Sequence, residues 1–176
     1  MVRGTLMQDY GFTHEQLKSW IHYDPLTGVL TWIGRPPNSS RVVIGSQAGS
    51  IKRTKSGVYL HTQILGYRTG NHRIAWFWMT GKWPDNHIDH KDGDGLNNAW
   101  ENLREATKEQ NMANRRQPRT SKNLKGASKS KSGKWIAQIN HNGKTIHIGT
   151  YMTEQEAHEA YCETAIKLHG DFAKLS

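Results

Sequence analysis

NHIDHKDGDGLNNAWENLREATKEQNMAN, residues 86–114, decides how this chain is read. Ile88-Asp89-His90 ends an extended run, and residues 91–101 form a loop rich in Gly, Asn and Asp. Asn102-Leu103-Arg104 then returns as a second strand. Thr107 and Gln110 stand at capping-box spacing, which opens a helix and sets Asn111 on its second turn. A hairpin packed on a short helix is expected to bring Asp89, His90 and Asn111 to one point. Asp89 and Asn111 are oxygen donors of the hardness Mg²⁺ or Mn²⁺ prefers. A neutral imidazole at His90 can take a proton from an attacking water, while a bound cation stabilises a leaving oxygen on phosphate. His90 projects from the side of its strand opposite Asp89, so a twist or bulge is expected to bring the pair together. Asn102 is expected to bridge loop and strand and to fix the group that orients His90.

The Asp-Gly-Asp-Gly run at residues 92–95 invites a second reading as a calcium loop. An EF-hand loop ends on a bidentate Glu at its twelfth position. Counted from Asp92 that position is Leu103, and the calcium reading fails.

Working outward, 24 Lys and Arg against 15 Asp and Glu give a formal charge of +9. Such an excess favours a polyanionic partner, nucleic acid before an anionic membrane. No apolar run approaches the roughly 18 residues that span a bilayer, and Met1-Val2-Arg3-Gly4 has no signal-peptide core. The single cysteine, Cys162, allows neither an intrachain disulfide nor a Cys-based zinc knuckle. A reducing, cytoplasmic setting is the expectation (the host cytoplasm if the gene is phage-borne).

The N-terminal segment opens with another capping box, Thr13 with Gln16, ahead of Leu17, Trp20 and Ile21 on one helical face. Asp24-Pro25-Leu26-Thr27-Gly28 is a turn, residues 29–32 a strand, and residues 45–51 and 58–64 further strands of a meander. Asn71 is placed as the cap of a helix that ends at Gly81. Residues 115–123, RRQPRTSKN, read as a basic linker. Beyond it lie three short strands, about 126–129, 134–141 and 144–151, the last two joined by Asn142-Gly143, a strong hairpin signal. A capping box at Thr153 and Glu156 then begins a helix whose small residues, Ala157, Ala160 and Ala165, suit close packing on a sheet. The fold class expected is α+β, with a small N-terminal α+β unit over residues 1–70, a central core over 71–115, a linker over 116–123 and a sheet-plus-helix module over 124–176.

Two resemblances sharpen this. Asp89-His90, Asn102 and Asn111, with His72-Arg73 and Trp83-Pro84 ahead of them, resemble the HNH or ββα-metal nucleases, in the order and spacing of phage and intron-encoded homing endonucleases. The resemblance implies His90 as general base, Asp89 and Asn111 as metal ligands and Asn102 as the structural asparagine of the catalytic set. Asn111 stands where many members have His, which favours oxygen-only ligation. His72 and His87 are candidate contacts to phosphate or leaving group. Residues 123–175 resemble the Apetala-two or ethylene-response-factor DNA-binding domain, whose three-stranded sheet docks in the major groove. Carried over by position, its DNA-facing residues are Lys125, Ser128, Ser130, Gln138, Asn140, Thr145 and His147, joined by Arg115 and Arg116 of the linker. Several of these positions hold Arg or Trp in the plant domains, and Ser, Asn and Thr in their place imply tolerant base readout. Together the resemblances imply a monomeric Mg²⁺- or Mn²⁺-dependent endonuclease acting on double-stranded DNA, more suited to nicking than to double-strand cleavage. The alternative is a DNA-binding regulator with a vestigial nuclease core. The role of residues 1–70, DNA contact or scaffold, stays open at this point.

Overall fold

The computed structural model describes residues 10–54, 57–114 and 121–175. The chain is mixed α+β and divides into two compact units, one ending at Glu105 and the other starting at Ala106.

In the first unit the Thr13 capping box starts helix α1, His14–Trp20, and Leu17 and Trp20 are its buried face. The chain runs without a loop into strand β1, Ile21–Tyr23, which pairs antiparallel with β2, Leu30–Trp32. The turn between them is tied by the Asp24 carboxylate, which accepts from the Leu26 N–H (2.9 Å) and the Thr27 hydroxyl (2.6 Å). A meander follows: β3, Ser50–Thr54, β4, Gly57–Ile64, and β5, Tyr67–Gly70, in the order β3-β4-β5. Helix α2, Asn71–Thr80, stops at Gly81 in the left-handed region, its N–H bonded to Phe77. Strand β6, His87–His90, then pairs with β7, Leu103–Ala106.

Two local expectations fail here. Residues 45–49 are not strand. Gly45 and Gly49 take φ of 87° and 114°; backbone bonds tie Gly45, Ser46 and Ala48 to β2, but the pairing goes no further than an isolated bridge between Gln47 and Thr31, and β3 starts at Ser50. Nor is Asn71 the cap of α2, because Gly70 holds that place. The Asn71 side chain is buried and accepts from the Thr62 hydroxyl (2.8 Å) while donating to the Ala48 carbonyl (3.0 Å). It satisfies polar groups that the core would otherwise strand.

The core of this unit crosses position 70. Leu17, Ile21, Tyr23, Leu30 and Ile64 pack in one cluster with Ile74, Phe77, Ile88 and Leu103. These residues before 70 therefore share a core with the hairpin that carries Asp89 and His90. The closest junction is Gly28, with φ +74°. A Cβ there would lie 2.2 Å from the Asn98 carbonyl carbon. Nearby, the Tyr23 hydroxyl donates to the Asn98 carbonyl (2.8 Å) and the Trp100 N–H to that of Pro25 (2.8 Å).

The second unit begins with α3, Lys108–Ala113, capped by the Thr107–Gln110 box. Strands β8, Ala127–Lys129, β9, Trp135–His141, and β10, Lys144–Tyr151, form an antiparallel sheet in the order β10-β9-β8. Asn142 and Gly143 both have positive φ at the hairpin tip, 51° and 72°. Helix α4, Glu154–His169, starts at the Thr153 capping box and buries Ala157, Tyr161 and Ala165 against Ala127, Ala137 and Ile139. Gly126 lets the Tyr161 ring lie flush, since a Cβ there would sit 2.1 Å from it. No helix among the described residues is long and apolar enough to cross a membrane.

Gly28→Ala combines steric overlap with a disfavoured left-handed backbone, and should cost the first unit about 2–4 kcal/mol. Thermal melting followed by tryptophan fluorescence measures this. A melting temperature equal to wild type would show that the junction gives way without cost.

Candidate active site at the His90 hairpin

The hairpin loop is held by its own short polar side chains. Asn102 accepts from the Asp92 N–H (3.0 Å) and donates to the Asp92 carboxylate (3.0 Å) and the Asn97 carbonyl (2.8 Å). Asp92 also accepts from the Asp94 N–H (2.8 Å) and the Asn97 amide (2.7 Å). Burial pushes the Asp92 carboxyl up, but those donors outweigh it and its pKa falls below the ordinary value. Backbone bonds from Lys91 to Asn102 (2.9 Å) and from Gly93 to His90 (2.8 Å) close the structure.

His90 is buried at the inner end of β6. Its Nε2 lies 3.2 Å from Oδ1 of Asn98, and the Asn98 Nδ2 donates to the Leu96 carbonyl (3.1 Å). A carbonyl can only accept, so that second bond fixes which way the amide points. Asn98 therefore offers oxygen to the imidazole, and Nε2 must be the protonated nitrogen. The lone pair of His90 is left on Nδ1. Burial is the main influence on its pKa and lowers it, against the opposing pull of Asn98, Asp92, Asp89 and Asp94. The ring is neutral at neutral pH.

The other side of the strand is built differently. Asp89 is buried, and its Oδ2 meets Nε of Arg104 at 2.9 Å. The contact fixes the position of the carboxylate. His72 stands close to His90, ring centroids 5.2 Å apart and edge to face, with Tyr59 completing a cluster at 6.0 and 6.1 Å. Burial, then the neighbouring His90, Arg73 and His61, hold His72 down to about 3. His87 opens β6 exposed, and by alternation it falls on the Asp89 side, away from His90.

Of the residues singled out from sequence, Asp89, His90, His72 and Asn102 thus lie around one hairpin. Asn111 lies on α3 in the second unit. Asn102 braces the loop and does not reach the His90 ring. That contact belongs to Asn98, which the sequence reading passed over. The doubled Asn97-Asn98 beside a catalytic-type histidine was the available signal. Tyr59 and Arg104 were missed as well.

In the second unit Ser128, Gln138, Asn140, Thr145 and His147 share the sheet face turned away from α4, as the pairings Thr145–Asn140, His147–Gln138 and Ser128–Ile136 require. Trp135 packs with Ala127 and Ala137 on the helix side. Two assigned residues lie elsewhere. Lys125 is half-buried, with Nζ donating to the Lys174 carbonyl (2.6 Å) and its pKa lowered to about 8, chiefly by burial. The Ser130 hydroxyl donates to the Lys134 carbonyl within the β8–β9 turn (2.9 Å). Arg115 and Arg116 fall outside the described residues.

Residues 70–113 match the family model for HNH endonucleases. The match takes in His72, Asp89, His90, Asn98, Asn102 and Asn111. The chain is also 40% identical over 96 residues to an uncharacterized HNH endonuclease of Acanthamoeba polyphaga mimivirus, covering 54% of this chain and 50% of that protein. The chain thus spans about half the length of the curated relative it matches. No solved structure matches it.

Long-range ¹H–¹⁵N spectra at neutral pH should show His90 protonated on Nε2 and bare on Nδ1, and a protonated Nδ1 would overturn the assignment. His72 supplies a separate acid signature. The unfolded chain takes up a proton near 6.5 and the folded one only near 3. Stability present above about pH 6.5 is therefore lost as the pH falls toward 3. Melts across that range should show this loss, reduced in His72→Gln; an unchanged acid limb would place its cause elsewhere.

Proposed function

We propose that this chain is a divalent-metal-dependent DNA endonuclease of the HNH type that nicks double-stranded DNA as a monomer. The observation that carries the reading is the neutral imidazole of His90, oriented by Asn98, in the segment that matches the HNH family. His90, with Nε2 committed to Asn98, presents Nδ1 to take the proton from the attacking water. Asn98 and Asn102 act through geometry, one on the ring and the other on the loop that carries Asn98.

Asp89 is the hairpin residue that would hold the metal, and Asn111 is the second candidate donor on its place in the sequence pattern. One carboxylate and one amide oxygen suit Mg²⁺ or Mn²⁺, which commonly take their remaining ligands from water and phosphate. Arg104 fixes one oxygen of Asp89, Oδ2, at 2.9 Å. Bound there, such an ion supplies charge neutralisation at the phosphate and the leaving oxygen. The exposed sheet face of the second unit, with Gln138 and Asn140 at its centre, serves as a tolerant DNA reader of the Apetala-two kind, since amide side chains suit adenine edges.

Incubating the protein with supercoiled plasmid and Mg²⁺ should convert it to open circles. His90→Ala should abolish nicking with duplex binding nearly intact, and undiminished nicking would remove His90 as the base. Asn98→Leu should slow nicking about 10- to 100-fold. Asn111→Ala should raise the Mg²⁺ concentration needed for half-maximal rate; an unchanged requirement would exclude it as a ligand. Binding without any cleavage would favour a regulator that has lost the chemistry.

A further inference from the structure

Between Pro25 and Pro84 the sequence has eight Lys and Arg and no Asp or Glu. At the chain's average of 15 acids in 176 residues, a stretch this long would hold about five. Solvated basic surfaces normally mix the two signs, because nearby carboxylates relieve the repulsion between cations. A stretch of chain with no carboxylate of its own brings only positive charge to the surface it forms.

The β3-β4-β5 sheet shows where that charge is received. β3 is exposed along its whole length. The pairings Lys52–Tyr59, Ser50–His61, His61–Gly70 and Gln63–Arg68 put these residues on one face, since cross-strand partners point the same way. Nη2 of Arg68 donates to the Ser50 hydroxyl (3.1 Å), which pins the guanidinium over the face. The Lys52 and Arg68 cations are close enough to His61 to add to burial in lowering its pKa.

This face leads to the candidate active site. Tyr59, partner of Lys52, has its ring 6.1 Å from that of His90, and Gly95 of the hairpin loop packs so closely that a Cβ would lie 2.5 Å from the Tyr59 ring. Two buried ring nitrogens here, Nδ1 of His61 and Nδ1 of His72, have no hydrogen-bond partner among the described residues. Buried polar atoms in folded proteins rarely go unpaired. An imidazole whose Nδ1 carries the proton, beside a lysine and an arginine, would give the donor set of a phosphate seat.

We propose that the sheet face bearing Lys52, His61 and Arg68 seats a backbone phosphate of duplex DNA next to the His90 site. The substrate is then gripped at the catalytic unit itself, and the C-terminal module is a second hold on the same duplex. The proposal rests on the endonuclease reading for its choice of polyanion.

The test is equilibrium binding of the full chain to a mixed-sequence DNA duplex in EDTA, which blocks cleavage, across a series of salt concentrations. Each phosphate contact contributes close to one to the slope of log affinity against log salt. Lys52→Gln with Arg68→Gln should flatten the slope by roughly 0.9, the share of one phosphate, and should leave the melting temperature unchanged because both side chains are exposed. Arg41→Gln with Lys82→Gln removes the same charge from the acid-free stretch but off the sheet, and should change the slope much less. Equal slopes for wild type and the Lys52/Arg68 variant would overturn the proposal while leaving the nuclease intact. Equal flattening in both double variants would also overturn it, in favour of a diffuse charge effect. A wild-type chain that binds no duplex would overturn the DNA reading and this proposal together, and nicking of plasmid by that same chain separates the two failures.

Discussion

The Asn98 side chain sits between a carbonyl that accepts a proton and an imidazole nitrogen that donates one, and the rest of the first unit is arranged to keep it there. Its backbone carbonyl is held by the Tyr23 hydroxyl, and its peptide lies flush on Gly28. The loop before it is tied by Asp92 and Asn97, and Asn102 ties that loop back to the returning strand. None of these contacts is strong alone, since an ordinary hydrogen bond is worth about 1 kcal/mol net. Their effect is geometric, for together they leave the His90 ring one orientation and one tautomer. A histidine free to rotate would spread its lone pair over several directions and meet an attacking water in few of them.

Features written in local chemistry were legible in the sequence. The three capping boxes at Thr13, Thr107 and Thr153, the left-handed stop at Gly81 and the Asn142-Gly143 hairpin each rest on residues within a turn of one another, and each is present. What failed depended on partners far along the chain. Asn71 looks like a cap until Thr62 and Ala48 are known to lie beside it. Asn102 and Asn98 are equally polar members of one loop, and which of them touches His90 is settled by Tyr23 and Gly28, some seventy residues earlier. Lys125 looks like a phosphate contact in a basic segment, yet α4 and the tail enclose it. Spacing told which residue types were assembled, and burial told what each one does.

The two faces of chemistry in the first unit are kept apart by one strand. On β6, Asp89 turns toward Arg104 and His90 toward Tyr59, His72 and Asn98. One side stabilises a charge and the other suppresses one. The expected twist that would bring both side chains together is not needed for these environments to form, because alternation along an extended strand already supplies two of them. Adjacent residues thus meet opposite surroundings, a guanidinium for Asp89 and a cluster of rings for His90.

Glycines mark where the chain tolerates change. At Gly28 and Gly126 a single added carbon meets backbone or ring, whereas at Gly133 and Gly143, the tips of the two hairpins in the C-terminal sheet, nothing lies within 4 Å. The turn at residues 24–28 is thus a fixed part of the first unit's geometry, although it lies far from His90 in sequence. The C-terminal hairpin tips are open ends, where inserted residues extend into solvent without disturbing the strands below. Length and composition at those tips can therefore change while the strands that carry them keep their register.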